Sequence, residues 1–128
     1  MPVEPVPTPS APGTGLPYSP AVRAGDWIVM AGQVGMDPAT GAVVEGVEAQ
    51  VHQIMANISA VLGDCGAKLT DVAKATVFLV DMADFPTMNK VYAAAFGDHR
   101  PARTTIGVAA LPLGARVEIE VLAYQPQS

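Results

Sequence analysis

Arg103 opens a strand-like run, Pro101-Ala102-Arg103-Thr104-Thr105-Ile106-Gly107-Val108. Fifteen residues later two glutamates alternate with apolar residues in Val117-Glu118-Ile119-Glu120-Val121. A guanidinium is always protonated and offers a planar fork of donors matched to a carboxylate. Holding one on a strand is costly unless an anion meets it. Strand alternation places Arg103 and Thr105 on one face, and Glu118 with Glu120 on one face of theirs. Two readings stay open on spacing alone. Arg103 makes a structural ion pair with the chain's own glutamate, or it waits for the carboxylate of a substrate.

No other residue cluster competes with this one. Cys65 is the single cysteine, so no internal disulfide forms, and no neighbouring histidine or cysteine activates it. An inert thiol in a reducing cytoplasm is the expectation. His52 and His99 fall in neither a His-x-x-x-His nor a Cys-x-x-Cys spacing, so neither a metal nor a cofactor is expected. The net charge of −5 and the isoelectric point near 4.7 argue against nucleic acid as the partner, because phosphate binding needs a basic face. There is no apolar run of the roughly 18 residues a membrane span requires.

The 128 residues suffice for one domain with a core. Half of them are hydrophobic and 15% charged, a lean surface that implies apolar area hidden in an oligomer. Residues 1–15 read as a flexible arm, because Pro2, Pro5, Pro7, Pro9 and Pro12 alternate with small polar residues that bury too little to offset ordering entropy. The arm also lacks the basic start and apolar core of a signal peptide. Residues 16–128 form the single domain. Trp27 to Gln33 is a continuous apolar run, expected as a strand apolar on both faces. Val47, Val51, Ile54, Met55, Ile58, Val61 and Leu62 recur at helical spacing, with Gly63 and Gly66 closing the helix. Val72 to Val80 reads as a second buried strand. Asp84 is placed as the cap of a second helix carrying Phe85, Met88, Val91, Tyr92 and Phe96, stopped by Gly97. Strands over Ala102 to Val108 and Val117 to Ala123 complete an α+β fold with a mixed sheet. Crossovers that contain helices are right-handed, so both helices fall on one sheet face. The uncovered face must then pack on another subunit.

The segments Pro101-Ala102-Arg103, Val108-Ala109-Ala110-Leu111-Pro112 and Val117-Glu118-Ile119-Glu120 resemble the C-terminal signature of the RidA/YjgF family. Upstream, Pro17-Tyr18-Ser19, Ala31-Gly32-Gln33, Asp37-Pro38-Ala39-Thr40-Gly41, Thr76-Val77-Phe78-Leu79 and Asp84-Phe85-x-x-Met88-Asn89-x-x-Tyr92 follow in the family's order, covering Leu16 to Tyr124. The resemblance implies a chorismate-mutase-like fold, a homotrimer and ligand sites in the clefts between subunits. It also implies an enamine/imine deaminase that hydrolyses 2-imino acids, such as 2-iminopropanoate and 2-iminobutanoate, to 2-keto acids and ammonia. Carried over by position, Arg103 holds the substrate carboxylate and Glu118 positions the attacking water. Tyr18, Gly32, Gln33, Asn89, Tyr92 and Thr105 fall where that family's cleft is lined. On this reading Arg103 meets a substrate.

Each of these residues also has a plainer role. Tyr18 and Tyr92 can be packing residues, Asn89 a solvated helix residue, and Gln33 can matter only through its backbone. Gly32 can serve close backbone approach. Glu120 shares the parity of Glu118 and is taken as structural. Four residues depart from the family pattern: Ala31 for serine, Thr105 for cysteine, Arg100 for an aromatic residue and Pro20 for glutamine. The alternatives in function are a non-catalytic binder of small keto-acid carboxylates and a deaminase specialised for a larger intermediate. RNA cleavage, sometimes attached to the family, is disfavoured by the acidic balance.

Overall fold

The computed structural model describes residues 2–11 and 15–127. The strands are β1 (Glu4–Pro5), β2 (Ala21–Ala24), β3 (Trp27–Met30), β4 (Gln33–Val34), β5 (Val72–Leu79), β6 (Ala102–Gly107) and β7 (Val117–Tyr124). The helices are α1 (Val47–Asp64) and α2 (Phe85–Phe96). One sheet contains all seven strands in the order β1-β2-β3-β7-β5-β6, with β4 also paired to β7. Only β5 and β6 run parallel; every other pair is antiparallel.

The topology explains why the helices share a face. β3 and β5 both lie antiparallel to β7, so they are parallel to each other, and α1 connects them. The next connection, α2, carries the chain onward in the same direction from β5 to β6. Two right-handed crossovers stepping the same way leave both helices on one side. There Ile54, Ile58 and Leu62 of α1 and Met88 of α2 pack with Ile28, Val77, Leu79 and Ile119, all fully buried. Each such side chain contributes about 1.5–3 kcal/mol by leaving water. No helix among the described residues is long and apolar enough to cross a membrane.

The opposite sheet face is open. Trp27, Val29, Leu122 and Tyr124 lie on it, each between 37% and 45% exposed, and the rings of Trp27 and Tyr124 meet edge-on at 5.1 Å.

Several details correct the sequence reading. Trp27 to Gln33 is not one strand. It breaks at Ala31–Gly32, where the Ala31 amide turns away to the Pro20 carbonyl (2.9 Å), and β4 resumes the pairing with β7. Its faces also differ, since Ile28 and Met30 are buried whereas Trp27 and Val29 are not. The short strand β2, paired to β3 through the Gly25 turn, was not expected. Asp84 does not cap α2 through its side chain. Its carboxylate pairs with Arg116 at 2.8 Å, and Asp81 accepts from the Ala83 amide one turn earlier. Gly97, at φ 64°, does stop the helix. Within the stretch read as a flexible arm, residues 1 and 12–14 lie outside the described residues. The rest is tied down: β1 pairs with β2, and Ser10 donates from its amide and hydroxyl to Asp64, both at 2.9 Å.

Candidate active site

Register with β5 determines which way Arg103 faces. Arg103 is paired with Ala75 and Thr105 with Val77, both fully buried under the helices. The Arg103 guanidinium therefore enters the helical layer. Its carbon lies 4.9 Å from the Tyr92 ring centre and 5.5 Å from that of Phe85, and among the described residues Nη1 reaches only the Met88 sulfur, at 4.0 Å. Aromatic faces attract the charge but use none of the planar N–H donors. Among the described residues, the one carboxylate–guanidinium pair is Asp84 with Arg116.

Glu118 and Glu120 cannot be the missing anion. They pair with Phe78 and Thr76, which alternate with Ala75 and Val77 along β5, so both glutamates project from the opposite sheet face. The structural ion pair left open by the spacing is thereby excluded within one chain.

Three further polar atoms on the Arg103 side are buried without a hydrogen-bond partner among the described residues: Asn89 Oδ1, Tyr92 OH and Thr105 Oγ1. Leaving one such group unsatisfied costs about 1–3 kcal/mol, so these three atoms are placed to meet water, a ligand or another chain. A cavity of about 280 Å³ opens there, lined by Asn89, Tyr92, Ala93, Arg100, Pro101 and Arg103. Asn89 is half-buried rather than on a solvated helix side. Tyr92 does two jobs, packing on Phe96 at 4.8 Å and flooring the guanidinium. Burial pushes its phenol pKa up, opposed by Arg103 and then Arg100.

Glu118 builds a second half-site on the open face. Burial raises its carboxyl pKa above the usual range, and repulsion from the exposed Glu120 adds to the shift. Its carboxylate rests on Gly32. A Cβ there would lie 2.9 Å from Glu118 Cδ and closer still to Oε2. The close approach that the sequence reading assigned to backbone is thus made by a carboxylate. Tyr18, Val34 and Leu113 join Gly32 and Glu118 around a cavity of about 400 Å³. Leu113 was not anticipated. Its backbone is left-handed (φ 59°), a conformation strained for leucine, and the residue is 66% exposed beside this cavity. Gln33 sits in β4 opposite Ile119 and lines an adjoining cavity with Tyr18 and the arm residues Thr8 and Ala11.

The predicted residues therefore form two groups. Arg103, Thr105, Asn89 and Tyr92 assemble under the helices, while Glu118, Gly32 and Tyr18 assemble on the open face; Gln33, paired with buried Ile119, has the opposite parity to Glu118 and lines only the adjoining cavity. Phe85 and Met88, read as core, are also walls of the first group. The first group can bind a small anion with charge-assisted hydrogen bonds. The second offers a carboxylate, its pKa raised by burial, that can exchange a proton with a bound water.

The family model described as endoribonuclease L-PSP matches residues 8–125. A 2-iminobutanoate/2-iminopropanoate deaminase from Bos taurus is 47% identical, over 92% of this chain and 87% of its own. A RutC family protein from Pyrococcus horikoshii is 45% identical, over 92% and 94%. The crystal structure of RidA from an Antarctic Psychrobacter superposes with a TM-score of 0.89 at 41% identity, covering 93% of this chain and 97% of that one. With a family model spanning nearly the whole chain and relatives this similar over nearly all of it, the protein belongs to the RidA/YjgF, or endoribonuclease L-PSP, family.

Proposed function

We propose that this protein is an enamine/imine deaminase, hydrolysing reactive 2-imino acids to 2-keto acids and ammonia in the cytoplasm. The observation that carries the reading is the Arg103 guanidinium, half-buried on two aromatic rings and, among the described residues, without a carboxylate partner, beside three polar atoms likewise unpartnered among them. A substrate carboxylate supplies the missing charge and hydrogen bonds.

In the proposed reaction the 2-imino acid binds through its carboxylate to Arg103. Water, held by Glu118, attacks the imine carbon while the carboxylate takes its proton. That proton passes to the imine nitrogen, giving a neutral carbinolamine; as it collapses the hydroxyl proton is carried to the amine nitrogen by the same carboxylate, the C–N bond breaks, ammonia leaves and the C=O of the keto acid forms. Arg103 binds ground state and transition state alike and so selects carboxylate substrates. Glu118 acts chiefly as the bond forms. An imine carbon is already electrophilic, so orienting water and substrate supplies much of the modest acceleration needed.

Because Arg103 and Glu118 project from opposite sheet faces, the reading requires two chains: Arg103 from one and Glu118 from its neighbour. The apolar open face supports such an assembly, and we propose the homotrimer. Catalysis rather than sensing is favoured by the seating of Glu118 on Gly32 and its raised pKa, neither of which binding alone needs. The acidic net charge gives RNA cleavage no support.

The test generates 2-iminopropanoate and 2-iminobutanoate in situ and follows their decay with and without the protein. Acceleration that survives in Glu120→Gln and is lost in Arg103→Ala and Glu118→Gln supports the roles given. No acceleration of either imine rejects small 2-imino acids as substrates.

A further inference from the structure

The cavity at Arg103 holds a second cation. Arg100 lines it with Arg103, and no aspartate or glutamate is among the lining residues. Arg100 sits just beyond the Gly97 turn that ends α2, and Nη1 donates to the carbonyl oxygens of Gly97 and His99. Those contacts give it a structural role at the helix C-terminus, where a positive charge is favourable. They occupy one nitrogen only. Among the described residues, Nη2 and Nε of Arg100 make no hydrogen bond and the side chain makes no ion pair. Both guanidiniums favour ionisation of the Tyr92 hydroxyl, so both charges are felt at one point inside the cavity.

A single carboxylate on Arg103 would leave Arg100 unmatched. Two like charges beside one pocket repel, and that repulsion is relieved most by a ligand carrying two negative groups. We propose that Arg100 is a specificity residue that receives a second, distal carboxylate of the substrate. The site then prefers 2-imino acids derived from acidic amino acids over those with plain alkyl side chains. The inference rests on Arg103 holding the first carboxylate, as in the function proposed above. It assigns Arg100 no part in the hydrolysis itself.

Binding of stable 2-keto acids separates the two ideas without turnover. Calorimetry on the full-length assembly compares 2-oxoglutarate with 2-oxopentanoate, which has the same chain length without the second carboxylate. We expect 2-oxoglutarate to bind about fivefold more tightly at low salt, the size an exposed ion pair reaches. The preference should shrink at high salt, because exposed charges are screened. It should vanish in Arg100→Met and survive in part in Arg100→Lys. A role confined to the helix end would lower the melting temperature of Arg100→Met without changing the ratio of the two affinities. Equal affinities in the wild type, or a preference that persists in Arg100→Met, overturns the assignment of Arg100 alone. If neither keto acid binds, the carboxylate role of Arg103 falls and this inference falls with it.

Discussion

Mixing two inactive variants should restore activity. Through their β5 partners, Ala75 and Phe78, Arg103 and Glu118 are offset by three residues, an odd number that places them on opposite faces. At about 3.3 Å per residue the offset alone is about 10 Å, before the thickness of the sheet is crossed. The carboxylate and imine carbons of a 2-imino acid are bonded neighbours, so one chain cannot grip and hydrolyse the same molecule. Arg103→Ala and Glu118→Gln should each abolish most turnover. In an assembly reformed from equal amounts of both, a site works when its Arg103 comes from a Glu118→Gln chain and its Glu118 from an Arg103→Ala chain. Each condition is met half the time, so about one quarter of the sites are intact in any closed ring with head-to-tail interfaces. The initial rate of 2-iminobutanoate decay should accordingly rise from near zero to about a quarter of the wild-type rate. Mixing wild type with the Arg103→Ala/Glu118→Gln double variant provides the control. Shared sites again leave about a quarter, whereas sites within single chains would leave about half. No recovery after subunit exchange verified by native mass spectrometry would refute the two-chain site.

Gly32→Ala should keep the fold, since Gly32 needs no left-handed backbone, but the added methyl displaces the Glu118 carboxylate. Imine hydrolysis should fall about 10²-fold, the cost of misplacing a group by about 1 Å. A loss of the same size in the Glu118→Gln background would show that Gly32 acts independently of that carboxylate. Gly35→Ala provides the structural contrast: its Cβ would lie 2.8 Å from Gln50 Cα and carbonyl oxygen, backbone that cannot swing aside. Thermal unfolding should show a loss of about 1–3 kcal/mol, and an unchanged melting temperature would contradict this packing. Activity should fall on acidification through a pKa above the ordinary glutamate range, because Glu118 must be ionised to accept a proton; Glu120→Gln, by removing the secondary repulsion, should move that limb to lower pH. The raised pKa also means the folded state binds the Glu118 proton more tightly, so this group's contribution to stability is full below about pH 4.3 and lost as pH rises through the folded value. Glu118→Gln should therefore melt higher than wild type at neutral pH and equal it in acid. Tyr124→Glu, placing a charge among the apolar residues of the open face, should convert the proposed trimer to smaller species in sedimentation; an unchanged mass would show that this face is not the interface.

Local pattern was sufficient for the elements that carry the site. Ile54, Ile58 and Leu62 recur at helical spacing and lie on the buried side of α1. Alternation along Val117 to Val121 matches the burial of Val117, Ile119 and Val121, because side-chain parity within a strand needs no knowledge of its neighbours. The family resemblance, rather than spacing, singled out Thr105, Asn89, Tyr92 and Gly32 beside Arg103 and Glu118; the fold sets Arg103, Thr105, Asn89 and Tyr92 on the helical side of the sheet and Glu118 with Gly32 on the other. Long-range pairing decided what the pattern left open. Whether Arg103 and Glu118 share a face depends on the register of β6 and β7 against β5, which includes an irregularity between Val72 and Lys74. Asp84 forsook its helix cap for Arg116, a partner 32 residues away. Gln50, expected on no apolar stripe, is buried because it bridges the Val44 carbonyl (3.0 Å) and the Arg116 amide (2.9 Å). Parity within an element is a local property of the chain; which faces and partners meet is set by pairings distant in sequence, and only the folded structure contains those.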